Sequence, residues 1–376
     1  MRKVVLVEGV RTAIGKRNGS LCSYRSDELL ALVLEALLNR TNFDKSLIDE
    51  VIVGCTTQVN SQGNCIGRLA SLMAGIPDSV PAFVLNQKCS SSEQALHIAT
   101  QKIMTGYADI IVVGGVENMS LVPSAIDRIE YSPKLLEQYE MVHQGNSAEL
   151  IAEMWNISRE ELDRFSYMSH VKAAKATEAG EFSREIVDIE IGGAVFNRDE
   201  GVRANVSLEK MAQLKPAFME NGKVTAANSS QISDGASGLV LMEKETAIRL
   251  GFKPKGEVVS QVTVGVNPKE MLTGVIPATL KAINRANVTL EEIDVFEINE
   301  AFASVVLAWM KELGIPEDRV NLRGGAIALG HPTGASGARI TATLLNIMED
   351  SNAAYGLQTM CAAHGMATAT VWKKYH

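Results

Sequence analysis

Short runs of β-branched residues alternate along this chain with longer stretches of helical hydrophobic spacing. No other feature restricts the fold as much. VVLVEGV (4–10), EVIVGCTT (50–57), PAFVLNQ (81–87) and ADIIVVGG (108–115) read as buried strands. Between them, residues 26–40 place Leu29, Leu30, Val33, Leu34, Leu37 and Leu38 on one helical face, with Ser26 as the expected N-cap. Residues 92–105 repeat the pattern and stop at Gly106. Strand, helix, strand in that order demands a parallel-rich sheet covered on both faces, an α/β fold.

The second half does the same. Residues 256–265, 295–299, 320–330 and 355–361 are strand-like, and residues 277–286, 301–313 and 335–348 are helix-like. The halves also end alike: 235–242 (GASGLVLM) and 365–372 (GMATATVW) are small-residue stretches turning into a strand. The expectation is two copies of one α/β unit. The first comprises residues 1–118 and 235–248, the second 249–376, and an insertion occupies 119–234. The insertion has polar helices and turns. Ser158 and Glu161 form a capping-box pattern that opens a helix running to about Gly180. Excursions of this length in compact domains more often act as lids or binding segments than as bare loops.

A formal net charge of −8 argues against nucleic-acid or anionic-membrane partners, while leaving room for a local basic pocket. No apolar run approaches the ~18–20 residues needed to span a bilayer. The opening MRKVVLVEGVRTAIGK is too short in its apolar part for a signal segment and reads as a strand. The final VWKKYH carries no sorting address. Five cysteines (Cys22, Cys55, Cys65, Cys89 and Cys361) fall at irregular spacing with no CxxC pair. That suggests neither a disulfide framework nor zinc, and points to a reduced, cytoplasmic setting. A chain of 376 residues buries a large core without such staples.

Four segments could carry chemistry. In NQKCSSSEQALHIA (86–99), Cys89 follows a strand and precedes a helix, with Ser90 and Glu93 matching a capping box. The positive end of that helix dipole would favour a thiolate, and Glu93 would oppose it. Free cysteines are more commonly plain core residues. GGAIALGHPTGASGAR (324–339) reads as strand, glycine-rich bend and helix start, but fits neither a GxxxxGK[ST] loop nor a GxGxxG turn. His331, fixed by Pro332, would sit at a strand's C-terminal end, at the place Cys89 holds in the other copy. In EINEAFAS (297–304), Asn299 could be functional or could cap the next helix. In TMCAAHGMA (359–367), Cys361 alone would suggest packing.

Taken together these segments resemble the thiolase family. Its members carry a nucleophilic Cys after an Asn-x-x lead, an NEAFA box, a GGxxxxGHPxGxSG box and a C-terminal Cys in a glycine-rich turn. Here these appear in order as Asn86 to Cys89, 299–303, 324–337 and Cys361. VRTAIGKRNGSL (10–21), GGVENMS (114–120) and the stretch KPAF to SDGA within 215–236 extend the likeness over nearly the whole chain. The resemblance implies the thiolase fold: two pseudo-repeated halves with packed mixed sheets in five layers, αβαβα, and an inserted loop domain. It implies reversible Claisen chemistry on acyl-CoA, with two acetyl-CoA giving acetoacetyl-CoA and CoA as the expected case. Cys89 would become acylated. His331 would take its proton and then polarise a thioester oxygen. Cys361 would move the proton of the second substrate's α-carbon, and Asn299 would hold a water completing one oxyanion site. The N–H groups of Cys89 and Ala363 would form the other.

VHQGNSAE (142–149) looks like the short-chain, biosynthetic branch. By position, His143, Phe218, Met271 and Phe302 would line the channel, Ser230 would bond the pantetheine, and Arg203 would lie near the adenine and phosphates. CoA enters as substrate and product; no metal or other cofactor is implied. The family implies a homodimer or homotetramer. Two departures stand out: Ser92, followed by Glu93, where C-x-S-G is usual, and Cys361-Ala-Ala-His-Gly where Cys-x-Gly-Gly-Gly is usual. Ala363 takes a positive φ less readily than Gly, and His364 could narrow the acyl pocket. Both changes would lie beside the reacting carbons, so an altered acyl preference or rate is expected. A ketoacyl-synthase-type condensing enzyme and a non-catalytic acyl-CoA-binding homologue are the competing readings.

Overall fold

The computed structural model describes residues 2–124, 126–127 and 129–375, so Met1 and His376, the outer ends of the expected halves, lie outside it. The first half runs β1 (Val4–Thr12), α1 (Ser26–Thr41), β2 (Glu50–Gly54), α2 (Ile66–Met73), β3 (Ala82–Leu85), α3 (Ser91–Met104) and β4 (Ile110–Asn118). An excursion holding α4 (Gln144–Met154) and α5 (Arg159–Glu178) follows before β5 (Ser233–Glu243). The second half runs β6 (Gly256–Gly265), α6 (Val275–Ala286), β7 (Val295–Ile298), α7 (Ala303–Leu313), α8 (Ser336–Ser351), β8 (Tyr355–Ala362) and β9 (Met366–Lys374).

The two half-sheets are ordered β3-β2-β4-β5-β1 and β6-β9-β8-β7. In the first, β2 is parallel to β3 and β4, while β5 is antiparallel to β4 and β1. The second repeats this, with β7 parallel to β8 and β9 antiparallel to β8 and β6. The halves meet edge to edge where Val5 and Leu6 of β1 pair with Glu257 and Gly256 of β6.

Helices α3 and α8 lie between the half-sheets. Every α8 residue from Ser336 to Met348 is buried, leaving no solvent face on that stretch, as an inner-layer helix requires. Leu96, Ala99 and Ile103 of α3 join Ala338, Ala342 and Leu345 of α8 in one apolar cluster with Val4, Leu6 and Trp372. Helices α1 and α2 cover the first sheet from outside, and α6 covers the second. The result is the five-layered α/β architecture of the thiolase fold.

The capping box expected at α5 forms, whereas the signals at Ser26 and over 320–330 do not hold. The Ser158 hydroxyl accepts the Glu161 N–H at 3.1 Å and the Glu161 carboxylate accepts the Ser158 N–H at 2.7 Å, closing the capping box at the start of α5. Ser26 does not cap α1. Arg25 holds that position, and the Ser26 hydroxyl instead donates to Gln62 Oε1 at 3.2 Å. The strand expected over 320–330 does not form either. Val320 makes a single bridge to Phe296, and Ala326–Leu329 coil into one helical turn. The reason is close approach: a Cβ on Gly325 would lie 2.3 Å from the Glu300 carboxyl carbon. That carboxylate accepts the Ile327 N–H at 3.1 Å and the Ser169 hydroxyl at 2.6 Å, which pulls the backbone out of an extended path.

Candidate active site

The turn between β3 and α3 presents Cys89. Lys88 adopts φ 52°, and the turn is braced locally. Its N–H donates to Asn86 Oδ1 at 2.9 Å, and its carbonyl accepts the Ser91 hydroxyl at 2.6 Å. The expected Ser90–Glu93 capping box is absent. Glu93 turns into the central layer, where its carboxylate accepts hydroxyls of Thr368 and Thr370, each at 2.8 Å, and lies 3.8 Å from His97. The pull of the helix dipole toward a thiolate is outweighed by burial. Burial pushes the Cys89 thiol up to about 11, outweighing hydrogen bonds from the Gln144 side chain and from the N–H groups of Ala363 and Cys89 itself. The carboxylate that adds to this rise is Glu117, not Glu93. At neutral pH Cys89 is a thiol and needs a base.

His331 is held by its ring and its backbone. Its N–H reaches Ser233 Oγ at 3.2 Å and Nδ1 lies 2.6 Å from Ser336 Oγ. The Ser336 hydroxyl donates to Pro332 O at 2.9 Å, so Nδ1 carries the ring proton and Nε2 keeps its lone pair. Burial, with Arg339 adding to it, lowers His331 to about 3, leaving a neutral imidazole. Asn299 Nδ2 stands 3.4 Å from Nε2, while Asn299 Oδ1 is buried with no partner among the described residues. Asn299 is therefore not the α7 cap; Phe302 is. His331 follows the helical turn pinned by Glu300 rather than a strand end.

Cys361 lies in β8 opposite Ala367 of the hairpin, 1% exposed. Burial, then the charge of Cys89, raises its thiol. Ala363 does not carry the positive φ that its place in a glycine turn suggested. His364 at φ 67° and Gly365 at φ 82° carry it, and His is among the residues that tolerate this region. Ser92 does not face the reacting carbons as expected. Its hydroxyl accepts the Ala338 N–H at 3.0 Å, tying α3 to the start of α8.

Cys89, His331, Cys361 and Ala363 line one cavity of about 420 Å³ with His143, Ser230, Met271 and Phe302. Phe218 backs that wall, stacked on His143 at 5.4 Å and edge-on to Phe302 at 5.9 Å. Arg203 stands apart. It is exposed, does not line the cavity, and its N–H bonds His170 Nδ1 at 3.1 Å. Sequence reasoning missed Gln144, which reaches the Cys89 sulfur, and Ser336, which sets the His331 tautomer. It also missed Glu117, whose carboxylate accepts the N–H groups of Thr56, Thr57 and Gly334 at 2.9, 3.1 and 3.0 Å. All three sit in segments already singled out, Glu117 in GGVENMS, Gln144 in VHQGNSAE and Ser336 five residues after His331, but nothing local marks them apart from their neighbours. Among the described residues no cluster of His, Cys, Asp or Glu could hold a metal ion, and no helix is long and apolar enough to cross a membrane.

Comparison with known proteins gives consistent matches. The family model described as "Thiolase, N-terminal domain" matches residues 4–245, and "Thiolase, C-terminal domain" matches 252–374. A steroid 3-ketoacyl-CoA thiolase of Mycobacterium tuberculosis is 42% identical, covering 99% of this chain and 94% of its own. A 3-ketoacyl-CoA thiolase of Klebsiella pneumoniae is 42% identical over all of both chains. Among solved structures, the Bacillus anthracis acetyl-CoA acetyltransferase superposes with a TM-score of 0.93 at 36% identity, covering 100% of this chain and 99% of its own. Human mitochondrial 3-ketoacyl-CoA thiolase also gives 0.93, at 30% identity, covering 99% of each chain.

Proposed function

The chain belongs to the thiolase family of acyltransferases, and from that premise we propose that it interconverts 3-ketoacyl-CoA plus CoA with a shortened acyl-CoA plus acetyl-CoA. The observation that carries this reading is one cavity lined by a neutral imidazole with an unprotonated Nε2 and by two thiols. His331 takes the Cys89 proton, and the Cys89 sulfur attacks the 3-keto carbon. The oxyanion formed is held by the N–H groups of Cys89 and Ala363. The C2–C3 bond breaks, and Cys361 delivers a proton to the departing acetyl-CoA carbon. The CoA thiol then gives its proton to the Cys361 thiolate and attacks the acyl carbon, the Cys89–acyl bond breaks, and His331 returns its proton to the Cys89 sulfur. His331, and a water held by Asn299, stabilise the thioester enolate. His143, Ser230, Met271, Phe218 and Phe302 shape the channel for the CoA arm, and Arg203, outside that cavity, contributes at most an exposed cation for the CoA phosphates.

Two relatives carry the name 3-ketoacyl-CoA thiolase, which supports the general 3-ketoacyl-CoA reaction over acetoacetyl-CoA alone. The acetyl-CoA condensation first expected is the shortest case of this reaction. The reading includes a reducing, cytoplasmic setting, in keeping with five free cysteines, and a homodimer or homotetramer. Edge strand β3, with four half-buried apolar residues, has the unpaired edge that a second copy could use.

Intact-protein mass spectrometry after mixing with acetoacetyl-CoA tests it. An acetyl adduct on Cys89, removed by CoA as acetyl-CoA, supports the cycle. Bound CoA with no adduct from any acyl length would favour a binding homologue. Condensation that survives Cys361→Ala would favour a synthase-type enzyme.

A further inference from the structure

The geometry points to a second recognition site at the acyl end of the cavity, built for a 3-ketoacyl chain that ends in a carboxylate, with Lys88, Tyr131 and His364 as its ligands. This rests on the thiolase reading above and narrows its substrate. Lys88 lines the cavity one residue before Cys89, and His364 lines it one residue after Ala363, so both flank the place of the acyl carbon. Their backbones are fixed. The Lys88 carbonyl accepts hydroxyls from Thr56 at 3.1 Å and Ser91 at 2.6 Å, and His364 occupies a left-handed turn at φ 67°. The Tyr131 hydroxyl lies 3.2 Å from His364 Nε2, with the rings edge-on at 6.0 Å.

This group is distinct from the His143–Phe218–Phe302 wall, which is aromatic. Lys88 is half-buried and forms no ion pair among the described residues. Burial, and then the Lys88 charge, lower the pKa of His364, which leaves a neutral ring beside a cation. Asp127 also lines the cavity, but it is exposed and its charge is felt at Cys55. A cation and a phenol hydroxyl lining the same pocket complement a carboxylate. A methyl-ended chain would strip water from the ammonium and return nothing.

The test compares thiolysis of 3-oxoadipyl-CoA and 3-oxohexanoyl-CoA, six-carbon chains ending in a carboxylate and a methyl group. The wild-type protein should favour the carboxylate by about tenfold or more in kcat/KM. Lys88→Asn, a residue that tolerates the left-handed turn, should bring the ratio near one, chiefly through KM for the charged substrate. Lys88→Arg should retain most of the preference, and Tyr131→Phe should lose part of it. Equal or better turnover of the methyl-ended chain, with acetoacetyl-CoA still cleaved, overturns this inference alone. A Lys88→Asn variant that slows both substrates equally also overturns it. Failure to cleave all three substrates overturns the thiolase reading and this inference with it.

Discussion

The two loops that face each other across the cavity stand at matching places in the two halves, yet they are held in different ways. The Cys89 turn leaves a regular strand, β3, and is braced by its own neighbours Asn86 and Ser91. In the second half the counterpart of β3 has shrunk to the single bridge at Val320. The His331 loop is held instead from a distance, by Glu300, by Ser169 of the inserted α5, and by Ser233 and Gln231. The nucleophile's position is thus a local property of its turn. The base's position is a tertiary property that includes the insertion. The base loop should then be the more fragile of the two.

The largest effect should come from removing the nucleophile. Cys89→Ala should lower thiolysis by at least about 10⁴-fold and abolish the acyl adduct, with the melting temperature little changed. Glu300→Ala strips the pin from the His331 loop and leaves Ser169, Asn321 and the Ile327 N–H without their acceptor. It should destabilise by about 3 kcal/mol in denaturant titration and lower kcat about a hundredfold. A kcat left intact would break the comparison. Ser91→Ala, its counterpart on the first loop, should cost about 1 kcal/mol and less than tenfold in kcat.

Two further measurements sharpen the picture through pH. Burial raises Glu93 to about 7. Its folded pKa is above the unfolded one, so the folded state binds the extra proton, and stability should fall as pH rises from about 4.5 to about 7. Glu93→Gln should flatten that slope in denaturation curves at pH 5 and pH 8. An unchanged slope would show that another group sets it. The smallest effect concerns Cys89. With its thiol up at about 11, alkylation by iodoacetamide should be slow at pH 7 and climb about tenfold per pH unit toward that value.

Much of this was legible in the sequence because it obeys short-range rules. Period-2 and period-3.6 patterns marked the strands and helices. Cys89, Asn299, His331 and Cys361 sat in segments specific enough to point at one cavity. What was not legible depends on contacts between distant residues. Residues 320–330 read as a strand leading into a glycine-rich bend, whereas the lack of a side chain at Gly325 is what lets Glu300 approach. Glu93 read as a cap because its spacing from Ser90 fits one, but its partners Thr368 and Thr370 lie far along the chain. Ser92 read as a change in the acyl pocket and proved to be a link between helices. Its neighbour across that contact is Gly337, where a Cβ would lie 2.3 Å from the Glu93 nitrogen. The dipole argument for a Cys89 thiolate omits burial, which a sequence does not display.

Glu117 bears on how such a molecule comes into being. Its carboxylate collects donors from Thr56, Thr57 and Gln62 of one half and from Gly334 of the other. A newly made first half would hold that anion in place before the partner donor had been synthesised. The centre is complete only when both halves are present. Secondary structure can mature while the chain is still chemically silent, and a refolding protein should regain its helices well before it regains turnover. An exposed thiol is a hazard to a half-made chain, and this order of events keeps the reactive pair apart until the whole fold encloses it.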